Sequence, residues 1–407
     1  MEICEKNDCT GCGACVNICP HSCISLCEDR LGVLYPEIDS QRCVECNLCV
    51  KICPSNREPN YRTPQKAYAA WSRSVSDRQN SASGGVAAKI YEYAIEQGWY
   101  SVGVKFDVEL GAYFIPINTK ADVELVRNSK YTYSNAGDIY YQIKKQLDAG
   151  RQVLFIALPC QVAALYSFLR RPYNNLLTID IICHGVAPTK YIKQHIESIE
   201  LQKSRKTQMV SFRDPEFKTN KFVFSLRDIN GCFYKAKTQS CDLYQIGYHK
   251  ALIYRENCYR CKYACSQRVA DITIGDFSGL GRVASVDFSG ENVSCVLINS
   301  DSGTKFFETL SDKIEAFERP LAEALNYEKQ LQSPSVPHPQ RDRFVKRYIE
   351  LQDFDKAAKP LLKQDKINLF KEKLSPIRAF KRLVVLVTPK RLRKRLKALI
   401  NRDGITK

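Results

Sequence analysis

Three things are missing from this 407-residue chain, and each removes a class of answer. No stretch approaches the roughly 20 consecutive apolar residues that a bilayer-spanning helix needs, so no membrane span is expected. The N-terminus, MEICEKNDC, lacks a basic region followed by an apolar run, so no secretory signal is expected either. The nineteen cysteines are therefore read as reduced thiols in a cytoplasmic, oxygen-poor setting, not as a disulfide framework. Also missing is a basic surplus outside the C-terminus. The formal net charge is +17, yet residues 356–407 carry 17 Lys and Arg against 3 Asp and Glu, which leaves +3 for the other 355 residues. A nearly neutral body without a basic, aromatic-lined face gives no expectation of a nucleic-acid partner.

What is present begins with one short pattern written twice. Cys9, Cys12, Cys15 and Cys19 follow C-x2-C-x2-C-x3-C with Pro20 next, and Cys43, Cys46, Cys49 and Cys53 repeat that spacing before Pro54. Three thiolates at intervals of three residues let one tight loop wrap three corners of an iron–sulfur cube. The fourth points away and serves the other cube, as in two-cluster ferredoxins. The expected ligand sets are Cys9, Cys12, Cys15 and Cys53 for one [4Fe–4S] cluster, and Cys43, Cys46, Cys49 and Cys19 for the second. Structural zinc is the competing reading; it prefers two separated ligand pairs and has no use for a third cysteine at the same interval. The intervening CISLCEDRLGVLYPEID reads as a hairpin, which makes Cys23 and Cys27, like Cys4, free or packing residues.

After a polar link, KAYAAWS reads as a strand and SASGGVAAKIYEYAIEQGW as a Ser/Gly loop opening a helix. Ser83, Gly84 and Gly85 sit where free backbone N–H groups favour an anion, although Ser and Gly also serve as ordinary caps. YSVGVKFD and AYFIPIN read as a hairpin. Two segments then share one grammar. RQVLFIALPC is an apolar strand ending in Pro159-Cys160 before a helix, and LLTIDIICHG is another ending in Cys183-His184-Gly185 before a second helix. That repetition predicts a parallel sheet with ligands beyond the carboxyl ends of its strands. MVSFRD, KFVFSLRD and CFYKAK form a small antiparallel insertion, with Asn230-Gly231 as the hairpin turn. SPSVPHPQR marks the end of this domain.

The expected architecture is an α+β ferredoxin-like module followed by an α/β domain with a mostly parallel sheet and a small antiparallel insertion. Its boundaries are 1–58 for the two-cluster module, 62–332 for the larger domain, 333–345 for a Pro-rich linker and 346–407 for a basic helical tail. In the tail, Leu392, Leu396, Leu399 and Ile400 share one helical face among Lys and Arg. Such a helix lies on an anionic membrane surface or docks on a partner or its own core, and both readings stay open.

Cys160, Cys183, Cys258 and Cys261 are scattered in sequence, and four thiolates suit a further cube, while buried free cysteines are common. At this point SASGGV, NSKYTYS, ALPCQVAAL, DIICHGVAP, SFRD and NCYRCKYACSQRVADITIGDFSG resemble, in order, the beta subunits of coenzyme F420 hydrogenases and dehydrogenases, here fused to a two-cluster ferredoxin module. The resemblance covers roughly residues 66–300. It implies a flavoprotein that binds FAD and moves electrons between a hydride donor, coenzyme F420 or a similar molecule, and iron–sulfur carriers. It makes Cys160, Cys183, Cys258 and Cys261 the ligands of a third [4Fe–4S] cluster and Cys265 a spare. It places Ser83, Gly84, Gly85, Ser129 and Lys130 near the flavin, with Lys130 stabilising its reduced, anionic form; His184 either contributes a hydrogen bond there or is a capping or core histidine. Ala157-Leu158 and Ser278 depart from the family pattern and put the deazaflavin pocket in doubt more than the cluster. Similar proteins also occur in bacterial surface-polysaccharide gene sets. The implied partner is a ferredoxin or other redox protein, the location the cytoplasm or the inner face of the membrane; the rival reading is an electron-carrying subunit without substrate chemistry.

Overall fold

The computed structural model describes residues 2–217, 223–237 and 241–374. In the N-terminal module two short helices, Ala14–Ile18 and Leu48–Ile52, pack against each other beside a hairpin of β1 (Ile24–Glu28) and β2 (Leu34–Ile38). Each helix follows a residue in the left-handed region, Gly13 at φ +77° and Asn47 at φ +58°, two types that tolerate it. The sharp turn throws the third cysteine of each motif onto the helix and leaves the fourth at its end. Cys15 and Cys49 lie within the helices; Cys19 and Cys53 are their C-caps.

The larger body contains β3 (Lys66–Ser72), β4 (Tyr100–Asp107), β5 (Gly111–Ile117), β6 (Ser134–Asn135), β7 (Val153–Ala157), β8 (Leu176–Ile181), β9 (Met209–Ser211), β10 (Val223–Asp228), β11 (Gly231–Lys237), β12 (Ile272–Asp276), β13 (Ser294–Ile298) and β14 (Ile314–Arg319). Among the described residues nine of them form one sheet in the order β14-β3-β13-β12-β8-β7-β4-β5-β6. Its centre is parallel, β12 with β8, β8 with β7 and β7 with β4, as the two strand–loop–helix segments predict. Its flanks add antiparallel pairs to the expected parallel ones: β13 runs against β12 and β3, β14 against β3, and β5 against β4, while β6 is again parallel to β5, so the sheet is mixed about a parallel centre. No helix lies between β12 and β13, so the chain has no crossover to carry it back and must reverse direction. β7 is buried at every position, the pattern of a strand covered on both faces. The second sheet, β11-β10-β9, is the small antiparallel insertion; Ile229-Asn230 form the turn of its hairpin, and Gly231, paired with Asp228, opens β11.

The boundary drawn at residue 333 is corrected. The helix Arg341–Leu351 starts inside the expected linker, and the helix Phe354–Ala358 follows it. Phe344, Tyr348, Phe354, Ala357, Ala358 and Leu362 are fully buried in one core with Tyr191, Ile192, Phe224 and Tyr244. Most of the charges around these apolar positions are solvated, which is why the stretch reads as tail in sequence, but Arg341 is buried and Asp355 bonds the buried His195. The amphipathic stretch with Leu392, Leu396, Leu399 and Ile400 lies outside the described residues. No helix among the described residues is long and apolar enough to cross a membrane.

The module is seated on the body by two buried tyrosine hydroxyls and one exposed asparagine amide. Tyr133 Oη donates to Gly11 O at 2.6 Å, Tyr140 Oη to Cys12 O at 2.9 Å, and Asn17 Nδ2 to Gly137 O at 2.7 Å. Arg255, 1 % exposed, reaches Leu34 O and Cys9 O from the other side.

Candidate functional site

Folding of the doubled motif groups the N-terminal thiols across the repeat. Cys9, Cys12, Cys15 and Cys53 line one small cavity. Cys19 and Cys46 both act electrostatically on Cys49, and Cys23 interacts with both Cys19 and Cys43. The first group is buried, whereas Cys46 is exposed, so the second group reaches the surface.

Cys160, Cys183, Cys258 and Cys261 line a second cavity, along with Thr10, Tyr133, His184 and Arg268. Each arrives by a different route. Pro159, whose missing N–H costs nothing in a first helical turn, starts the helix Pro159–Leu169 and puts Cys160 on that turn. Cys183 lies two residues past β8. Cys258 belongs to the 3-10 turn Glu256–Arg260, and Cys261 caps it. The loop carrying that pair is tied down by Arg268, 2 % exposed, whose Nη2 donates to the buried Asp180 of β8 at 2.9 Å. Thr273 Oγ1 donates to the same carboxylate oxygen at 2.7 Å. Burial pushes all four thiols above their ordinary range, so ligation would release their protons. They surround a void, not a point: among the described residues no three Cys, His, Asp or Glu side chains come together closely enough to hold one ion. Four thiols spaced around a void fit a cube of irons and sulfides better than a tetrahedral zinc. Cys265 does not line this cavity; its thiol donates to Lys262 O and Gln267 O.

A third and larger cavity, of about 300 Å³, opens at the carboxyl ends of β4, β7, β8 and β12. Ser83, Gly85, Ser129, Lys130 and His184 line it; Gly84 does not. Gly84 is packed between strands, where a Cβ would lie 2.3 Å from Ala70 O, and its N–H donates to Ser294 Oγ at 2.9 Å. Ser83 Oγ donates to Val293 O at 2.9 Å. The Gly84 N–H expected to face an anion is therefore taken up, along with the Ser83 hydroxyl, in anchoring the loop to β13 and the residue before it. Lys130 is corrected in a similar way. Its Nζ donates to the carbonyls of Val126 at 2.8 Å, Arg127 at 2.6 Å and Asn128 at 3.1 Å, closing the end of the helix Lys120–Val126. Burial pushes its pKa down to about 7, and its N–H groups are engaged with backbone oxygens although the residue lines the cavity. His184 is held below its ordinary pKa by burial.

Sequence reasoning missed several residues of this cavity. Arg127 bonds Asp77 at 2.6 Å on one wall, and Arg213 pairs with Asp276 at 3.0 Å on another. The signal for the second pair was in hand, since SFRD and TIGDFSG contain its two members. Leu158, Gln161 and His184 line both the large cavity and the four-thiol cavity. Thr10 lines both the four-thiol cavity and that of Cys9, Cys12, Cys15 and Cys53. Three cavities thus stand in a row, each sharing a wall with the next. The departure at Leu158 falls on the first shared wall. Ser278, the other departure, donates to Glu328 Oε2 at 2.5 Å at the cavity's edge.

Residues 8–57 match the 4Fe-4S dicluster domain, and residues 150–323 match the family described as the C terminus of the beta subunit of coenzyme F420 hydrogenase/dehydrogenase. No curated protein matches the chain. Among solved structures, a chain of the xenon-derivatised F420-reducing [NiFe] hydrogenase complex from Methanosarcina barkeri is similar at 17% identity and a TM-score of 0.44, covering 74% of this chain and 91% of that one. Cysteine grouping and family matches converge on an iron–sulfur electron-transfer protein of the oxidoreductase type, with a 4Fe–4S dicluster domain at residues 8–57 and a segment at residues 150–323 related to the beta subunit of coenzyme F420 hydrogenase/dehydrogenase.

Proposed function

We propose that the chain is an iron–sulfur flavoprotein with FAD in the large cavity, a [4Fe–4S] cluster on Cys160, Cys183, Cys258 and Cys261, and two more in the N-terminal module, linking a hydride donor to a ferredoxin-type acceptor. The observation that carries this reading is the shared walls: Leu158, Gln161 and His184 between the first two cavities, and Thr10 between the second and third. A bound isoalloxazine supplies the exchange between a hydride's electron pair and single electrons, and iron–sulfur cubes carry electrons singly.

The protein's own residues have three tasks. The anchored Ser83–Gly85 loop and the Lys130-stapled loop hold the walls of the large cavity at fixed spacing. The buried Cys258 and the half-buried Cys160, Cys183 and Cys261 limit the access of water to the central cluster and so tune its potential. Arg255 and Tyr133 hold the module close, while exposed Cys46 and its 61 % exposed neighbour Val44 put the last cluster where a redox partner can reach it. The hydride donor would be coenzyme F420 or another two-electron carrier meeting the Arg213–Asp276 side of the cavity.

Anaerobic purification with iron, sulfide and flavin analysis tests this. About twelve irons and one FAD per chain are expected, at four irons per cube. Cys183→Ala should lower the count by about four and leave the N-terminal cluster signals in place. About eight irons with no flavin would leave only an electron-carrying subunit and overturn the proposal.

A further inference from the structure

Two cysteines outside the twelve ligand candidates occupy equivalent places in the module. Cys23 Sγ lies 3.2 Å from Cys19 Sγ and also interacts with Cys43. Cys4 lines the cavity of Cys9, Cys12, Cys15 and Cys53, and interacts with both Cys9 and Cys53. Each extra thiol therefore meets the first cysteine of a cluster loop and the fourth cysteine that crosses over from the other motif. No repeat in the sequence produces this correspondence: Cys4 precedes Cys9 by five residues, whereas Cys23 follows Cys19 by four. Different anchors hold the two. Asn56 Nδ2 donates to Ile3 O at 2.8 Å beside Cys4, and Asp39 N donates to Cys23 O at 2.8 Å at the mouth of the β1–β2 hairpin.

We infer that Cys4 and Cys23 are matched hydrogen-bond donors to the ligating sulfurs of the two N-terminal clusters and raise the potential of the cluster each one touches. The inference rests on the proposed ligand sets. Once Cys9, Cys53, Cys19 and Cys43 ligate iron they are thiolates without a proton, so in each trio the one S–H belongs to the extra cysteine. Reduction adds negative charge to the cube and its sulfurs, and a donor aimed at a ligating sulfur stabilises that charge; hydrogen bonds to sulfur are among the main determinants of cluster potential. Cys23 is buried and Cys4 half-buried, so water does not easily replace either donor.

The test uses the full chain, loaded anaerobically with iron and sulfide, as wild type and as Cys4→Ala, Cys4→Ser, Cys23→Ala and Cys23→Ser. Iron is counted, and the clusters are titrated with detection by electron paramagnetic resonance. Each alanine variant should keep its iron and shift one N-terminal cluster to a lower midpoint potential, a different cluster for each position. Serine, which still donates, should recover part of the shift. Unmoved midpoints in both alanine variants would overturn the inference, as would serine shifting as far as alanine, which would mean packing alone. Loss of a whole cube's iron, about four atoms, in an alanine variant would make that thiol a ligand and overturn it too. A wild-type chain that takes up no iron would instead sink the ligand sets, a result distinct from a loaded chain with unmoved potentials.

Discussion

Replacing Arg255 with methionine should undock the N-terminal module while leaving the body folded. The guanidinium is 1 % exposed, donates to Leu34 O at 3.0 Å and to Cys9 O at 3.1 Å, and lies 5.3 Å from the ring centroids of both Tyr35 and Tyr133. Gly11 is fitted to it so closely that a Cβ there would lie 2.8 Å from Nη1. Hydrogen bonds from a charged donor contribute about 1.5–3 kcal/mol each, and a desolvated cation–π contact about 1–2 kcal/mol. These terms overlap, and methionine restores some packing, so the expected loss is about 4 kcal/mol of docking free energy. At tenfold per about 1.4 kcal/mol, the opening equilibrium should move by on the order of a thousandfold. Hydrogen exchange on the loaded chain reads this locally: amides of the β1–β2 hairpin should exchange far faster while those of β7 and β8 stay protected. Arg255→Lys, which keeps the charge without the fork, should fall between. A change under tenfold in the hairpin, or equal acceleration in β7 and β8, would refute the share of docking assigned to Arg255.

Three further outcomes are expected. His195 is buried, which works against its charge, but Asp242 at 2.9 Å and Asp355 at 2.6 Å outweigh burial and raise its pKa from 6.5 to about 10. The stability this contributes is complete below pH 6.5 and is lost as pH rises toward 10, so the thermal midpoint of wild type should fall toward that of His195→Asn across this window; parallel pH profiles for the two would contradict the pairing. Gly84→Ala should destabilise by about 1–3 kcal/mol, because its Cβ would meet the backbone of Ala70 and Ser294, and flavin retention should drop with it; an unchanged melting temperature would rule out the tight packing. Phe354→Ala should lower the denaturation midpoint by the equivalent of about 3–5 kcal/mol, since the ring is fully buried among Tyr191, Tyr244 and Phe344. A dispensable tail would show no change.

Much of the local chemistry was legible in the chain itself. The two C-x2-C-x2-C-x3-C motifs declare their purpose because three ligands in one tight loop are a matter of a few neighbouring residues. Pro159-Cys160 and Cys183-His184 could be assigned to strand ends because a buried strand, a short loop and a helix leave a periodicity that changes within a short span. Asn230-Gly231 announces its hairpin for the same reason. The antiparallel flanks of the large sheet were hidden, since strand direction depends on which strand β3 or β13 finds as a neighbour and not on its own residues. The packing of residues 341–362 was hidden by surrounding charge, because scattered apolar side chains mark a core only when a complementary surface exists to receive them.

Ligand type and spacing, then, are short-range properties that the order of residues settles alone, and they suffice to specify the metal chemistry of the N-terminal module. Convergence is a long-range property. Cys160, Cys183 and the Cys258–Cys261 pair meet because buried strands and the Arg268–Asp180 ion pair bring three distant segments to one void. Lys130 turns to three carbonyls, and Gly84 presses against β3, because a folded interior must pair or pack every group it encloses. Cys4 and Cys23 arrive at matching positions through different anchors, a correspondence that exists in space and nowhere along the chain.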